Sequence, residues 1–140
     1  MKSTTMCLVT IVLLGFAGCN IAGNPEAEKA AIETAEQWLR LVDDGRYAES
    51  WASSADFFRG AVDEKEWVAT MQSMRKPLGK NLSREVKSSR YLTQAPGAPD
   101  GEYVVIQFKA SFENKKSAVE TVTPMREENG EWRVSGYYME

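Results

Sequence analysis

Four cations crowd one short stretch of the chain. Arg75, Lys76, Lys80 and Arg84 bracket the sequence Pro77-Leu78-Gly79. A guanidinium grips a carboxylate or phosphate at two points, so this stretch could clamp an anionic ligand or a lipid headgroup. The plainer reading puts Arg75 in the last turn of a helix, offsetting the dipole there, with the other three cations solvated. Glu120 is the second candidate. It stands among apolar strand neighbours, and if it shares the inward face with Val122 it needs a buried partner, either Arg84 or Arg133. Such a pair would be a bridge that fixes the fold or the wall of a ligand-binding pocket.

What the chain lacks narrows its chemistry. It has no histidine, which removes the commonest general base, the Ser-His and Cys-His nucleophile pairs, and His-ligated metal sites. Catalysis would have to run on carboxylates, Lys, Tyr or Arg, so no catalytic residue, metal ligand or cofactor is assigned. A net charge of −3, with no block of like charge, argues against a nucleic-acid partner, which recruits a concentrated basic patch.

The two cysteines, Cys7 and Cys19, both lie near the N-terminus. Lys2 precedes an apolar run from Met6 to Ala17, interrupted only by Thr10. That run falls short of the ~20 residues that span a bilayer and has the form of a secretory signal. Its end, Phe16-Ala17-Gly18-Cys19, resembles the lipobox of bacterial lipoproteins, with Phe16 in place of the usual leucine. The resemblance implies a signal peptide over 1–18, lipidation of Cys19, a short tether over 19–23 and a single domain over 24–140. The partner so implied is a membrane, reached through the acylated Cys19, and the location is the periplasmic side of the cell envelope. Asn20 in place of an aspartate leans to the outer membrane of a Gram-negative cell.

The elements that position these residues divide the domain into a helical half and a sheet half. Asn24-Pro25 is a helix start. Ala27, Ala31, Ala35, Trp38, Leu39 and Val42 form one apolar stripe, and Asp43-Asp44-Gly45 ends it. A second helix is expected over Arg46 to Ser53 with Tyr47, Ala48, Trp51 and Ala52 inward. Ala55 to Gly60 has no clean period and reads as irregular or as a short helical turn. Asp63-x-x-Glu66 is a capping box for a third helix that buries Trp67, Val68, Met71 and Met74 and stops before Pro77.

The sheet half begins with a polar strand, Asn81 to Thr93, suited to an edge. In Glu102 to Glu113, Val104, Ile106, Phe108, Ala110 and Phe112 fall at every second position, the mark of a strand with one buried face. Ser117 to Glu127 is a third strand, with Pro124 predicting a bulge or an edge. Glu128-Asn129-Gly130 signals a hairpin. A last strand follows, with Trp132, Val134, Gly136 and Tyr138 alternating. The sum is an α+β domain: about three N-terminal helices on a curved four-stranded antiparallel meander.

The landmarks carry a resemblance. Trp38-Leu39, Gly45-x-Tyr47 with Trp51, Trp67, and Arg75-x-Pro77-Leu78-Gly79 with Arg84 are joined by Gly101-Glu102-Tyr103-Val104, Glu120-x-Val122 and Gly130-x-Trp132-x-Val134-x-Gly136-Tyr137. Together they resemble the bacterial DUF4019 family and, more broadly, the NTF2-like (cystatin-fold) superfamily, whose sheet wraps on helices as a cone. The resemblance implies a fold and a lipoprotein setting but no activity. Three functions are open: a non-enzymatic module binding a protein, peptide or small ligand; an envelope enzyme using carboxylates or Tyr inside the cone; and a structural lipoprotein docking through an exposed patch that includes Tyr103, Val105 and Tyr137.

Overall fold

The computed structural model describes residues 23–140, so the signal-peptide reading, most of the tether and the Cys19 assignment lie outside the described residues. Helix α1 covers Pro25–Asp43. The Asn24 side chain accepts from the Ala27 N–H at 3.1 Å, and Pro25 takes the first turn, where a missing N–H costs nothing. All six residues of the expected stripe are buried. Helix α2 is Tyr47–Ala52, α3 is Asp56–Ala61, and α4 is Glu64–Arg75. Asp63 caps α4 by accepting from the Glu66 N–H at 2.8 Å. A 3-10 turn over Lys76–Leu78 follows.

The sheet is β1 Asn81–Leu92, β2 Tyr103–Phe112, β3 Lys115–Arg126 and β4 Trp132–Met139. It is an antiparallel meander in the order β1-β2-β3-β4. The helices pack on one face of it, where Val104, Ile106, Phe108 and Val122 meet Ala31, Ala35, Trp38, Leu39, Val42 and Met71 in one core cluster. Burying each such aliphatic or aromatic side chain contributes ~1.5–3 kcal/mol. The fold is therefore the α+β arrangement that periodicity predicts, with the polar strand at one edge.

One open reading is decided and three local expectations are corrected. The stretch at 55–60 takes the helical one of its two readings. It is helix α3, anchored because the Ala55 N–H donates to the Val134 carbonyl at 2.8 Å and Phe58 is buried against Trp67. In α2, Ala48 and Ala52 face water and Ser50 is the buried residue. Its hydroxyl accepts from the Trp67 indole N–H at 3.0 Å, a partner that alanine could not offer.

The alternation in β4 breaks partway. Thr123 pairs with Gly136 but Pro124 pairs with Val134, which leaves Ser135 as a bulge residue. Pro124 has no N–H to give the ladder, and the extra residue changes which face follows. Val134 points inward before the bulge and Tyr137 after it, while Tyr138 is 61% exposed. The Ser135 hydroxyl steadies the bulge by donating to the Thr123 carbonyl at 2.7 Å.

The expected docking patch is the third correction. Tyr103 is 1% exposed, and Tyr137 packs its ring 5.3 Å from that of Trp38. Neither can present a contiguous apolar surface with Val105.

Candidate functional site

The C-terminal ends of α1 and α4 converge on the inner faces of β1, β3 and β4. Five polar side chains meet there. Asp43 follows Leu39 by four residues and so continues the buried side of α1 past the last apolar residue. Arg75, on the last turn of α4, donates from Nη2 to Asp43 Oδ1 at 2.8 Å. Arg84, on β1, donates to both Asp43 oxygens, from Nη1 to Oδ2 at 2.6 Å and from Nη2 to Oδ1 at 3.0 Å. Its Nε donates to Glu120 Oε1 at 2.7 Å. The other Glu120 oxygen accepts from the Tyr137 hydroxyl at 2.5 Å.

The result is one unbroken chain, Arg75–Asp43–Arg84–Glu120–Tyr137, with two cations against two carboxylates. Glu120 is 0% and Arg75 5% exposed. The Arg75 guanidinium lies over the Phe112 ring, 4.8 Å from its centroid, an attraction that partly replaces lost hydration. Its Nε and Nη1 have no hydrogen-bond partner among the described residues.

The surroundings shift the ionisable groups in definite directions. Burial alone would raise the Asp43 carboxyl, but hydrogen bonds and charge from Arg84 and Arg75 outweigh it and hold it below the usual aspartate value. Burial likewise opposes charge on Arg84, and its bonds to Asp43 and Glu120 more than reverse that. The Tyr137 phenol is pushed far above the ordinary tyrosine value, first by burial and then by the negative charge of Glu120 and the hydrogen bond it makes there.

Arg84 and Glu120 are brought together as one of the two expected pairings, while Arg133 instead pairs with Glu131 at 2.9 Å. Arg75 does more than offset a helix terminus, since it crosses to Asp43. Lys76 and Lys80 point to solvent and take no part. Asp43 and Tyr137 escape the sequence reading. The first reads there only as a helix stop, although its i+4 spacing from Leu39 signals burial. The second falls on the outer face, because the bulge at Ser135 cannot be counted from sequence.

A second polar network lies beside the core aromatics. Trp38 Nε1 donates to the Ser50 carbonyl at 2.9 Å and to Ser54 Oγ at 3.0 Å. Trp67 Nε1 donates to Ser50 Oγ at 3.0 Å. Both indoles are thereby satisfied while packed edge or tilted against Phe58 and Tyr137.

An open concavity lies elsewhere. A groove of about 720 Å³ runs between α1 and the start of β4, lined by Glu33, Gln37, Trp38, Leu41, Trp132 and Arg133 among others. Its size suits a small ligand or a short peptide. Among the described residues, no group of His, Cys, Asp and Glu is arranged to hold a metal ion. No described helix is long and apolar enough to cross a membrane.

Comparison with curated proteins finds no match. A family model described as a protein of unknown function (DUF4019) matches residues 34–137. That span includes all five members of the buried polar chain and most of the groove. The chain belongs to the DUF4019 family.

Proposed function

We propose that this protein is a non-enzymatic binding module of the bacterial cell envelope, with an NTF2-like cone, held to a membrane by acylated Cys19. One observation carries the reading. The charged side chains inside the domain are engaged with one another: both Asp43 oxygens and both Glu120 oxygens accept from Arg75, Arg84 or Tyr137. A general base needs a free lone pair within reach of substrate. Glu120 is sealed from solvent and two guanidiniums hold the Asp43 carboxyl below the usual aspartate value, so neither is presented to a substrate as a base. The chain of side chains works as a brace between helices and sheet. The groove beside Trp132 is then a concave surface open to a ligand. The order of helices followed by a four-stranded meander supports the NTF2-like kinship, and the small-small-Cys ending of the apolar leader supports the anchor.

The test is intact mass measurement of the protein extracted from bacterial membranes under native conditions. The expected result is a chain that starts at Cys19 and carries fatty-acyl mass, with any co-purifying ligand released on denaturation. An unmodified chain, or one cleaved elsewhere and recovered in the soluble fraction, would overturn the anchor. Turnover of a substrate that survives loss of the groove through Trp132→Ala but not Tyr137→Phe would overturn the non-enzymatic reading.

A further inference from the structure

The two ends of the domain differ in chemistry, and the chain enters at one of them. Asn24 opens α1. Near it, Ser89 donates to Glu28 at 2.5 Å and Tyr91 donates to Glu102 at 3.0 Å. Residues 93–102, which join β1 to β2, therefore sit at this pole. The β3–β4 hairpin, residues 127–131, sits there too, because the Arg126 N–H donates to the Glu102 carbonyl at 2.9 Å. The opposite pole holds the other two turns, joined where the Glu113 N–H donates to the Lys80 carbonyl at 3.0 Å and the Asn114 N–H to the Leu78 carbonyl at 2.9 Å. Exposed Lys76, Lys80 and Lys116 surround that junction.

We propose that the first pole, made of the β1–β2 connection and the β3–β4 hairpin, faces the lipid headgroups, so that the domain stands on end with its lysine-bearing pole outward. This rests on the anchor at Cys19. Four residues lie between Cys19 and Asn24, five Cα-to-Cα steps with a covalent reach of at most ~18 Å. Helix α1, with 19 residues, is ~28 Å long. The tether is shorter than the helix that follows it, so the end where α1 begins is held beside the bilayer. The lysine pole lies about a helix length beyond.

Part of the first pole suits the headgroup layer. The connection carries Ala95-Pro96-Gly97-Ala98-Pro99, five residues without a charge to desolvate at the headgroup layer. Asp100, Glu127, Glu128 and Glu131 lie at the same pole and repel an anionic leaflet within a Debye length, ~8 Å at physiological salt. The short tether therefore holds this pole down against a repulsion that a phosphatidylcholine leaflet lacks.

The experiment places a nitroxide-quenchable fluorophore at Ala98→Cys, Asn129→Cys or Lys116→Cys. The full-length protein, processed from its own leader, is reconstituted in phosphatidylcholine vesicles with and without phosphatidylglycerol, with nitroxide on the headgroups. The expected result is quenching several-fold stronger at positions 98 and 129 than at 116, in both lipid mixtures. Equal quenching at all three, or stronger quenching at 116, would overturn the orientation. If mass measurement shows Cys19 unacylated, the anchor reading fails by itself. The orientation is then judged on the same labelled proteins coupled through Cys19 to a maleimide lipid, with labels attached at a position-98, -129 or -116 azido residue, and the same two outcomes decide it.

Discussion

Arg84 holds Asp43 in a two-point grip and Glu120 by its third nitrogen, joining the last residue of α1 to the inner faces of β1 and β3. A single planar side chain thus ties three elements that are distant in sequence. Lysine could not do this, since it offers a point charge rather than a fork. Removing one partner of a buried ion pair costs ~3–5 kcal/mol because the other is left uncompensated. Arg84→Met and Glu120→Leu should each lower the urea midpoint by that scale. The double variant should cost well under the sum of the two, since neither charge is then left alone. Arg84→Lys should recover little. Strictly additive losses would show that the two side chains stabilise independently.

The same chain of bonds sets how stability depends on pH. Asp43 has a lowered pKa in the folded state. Its contribution is complete above the unfolded value of about 3.9 and is lost as pH falls through the folded value. Tyr137 has a raised pKa. Its contribution is complete below the unfolded value of about 10 and is lost as pH rises beyond that toward the folded value. Urea unfolding from acid to alkaline pH should therefore give a plateau with two falling flanks. Asp43→Asn should flatten the acid flank, and Tyr137→Phe the alkaline flank. An alkaline flank that persists in Tyr137→Phe would assign that limb to another group.

The tryptophan network gives a sharper contrast between neighbours. Ser50 is buried and accepts from Trp67 Nε1, whereas Ser53 is exposed and makes one bond, to the Ser50 carbonyl at 3.1 Å. Ser50→Ala leaves a buried indole N–H unpaired and should cost ~1–3 kcal/mol. Ser53→Ala should stay within ~0.5 kcal/mol. Guanidinium melts read by tryptophan fluorescence would separate the two. Equal midpoints would mean that Trp67 finds another acceptor.

How far the sequence foretells this arrangement varies with the kind of signal. The stripe of α1 and the alternation of β2 are set by backbone periodicity, and both faces are those that periodicity names. Pro124 foretells a bulge, because a missing N–H is a local fact. Which strand takes the extra residue is not legible, since that depends on how Ser135 meets Thr123 across the ladder. Glu120 could be paired with Arg84 or Arg133 in principle. The choice waits on register, which sets Met139 opposite Glu120 and Arg133 opposite Met125, while Arg84 reaches Glu120 across the inner face from β1. Ser50 shows the limit of polarity as a guide. A hydroxyl goes inward when an indole donor needs it, and no spacing within α2 announces a donor that comes from Trp67 of α4.

Gly79 closes the turn that carries Arg75 to Arg84, and its conformation is one only glycine tolerates. Its φ is 74° and ψ −160°, a region essentially closed to side chains. A Cβ there would also lie 2.7 Å from Glu113 Oε1 and 2.9 Å from Glu113 Cβ. Glu113 cannot simply swing aside, since Oε1 accepts from the Lys80 N–H at 2.7 Å. At Gly45, φ is 75° and a Cβ would meet nothing within 4 Å, so only the backbone cost applies. Gly45→Ala should therefore cost ~1–2 kcal/mol. Gly79→Ala should cost more, because it adds a steric conflict and pulls the 76–80 turn off the β2–β3 turn. The difference reaches the buried chain, since that turn sets the approach of Arg84 to Asp43. Amide exchange at Lys80 and Asn114 should speed up in Gly79→Ala and stay unchanged in Gly45→Ala. Protection retained at both amides in Gly79→Ala would show that the two turns hold together without the glycine.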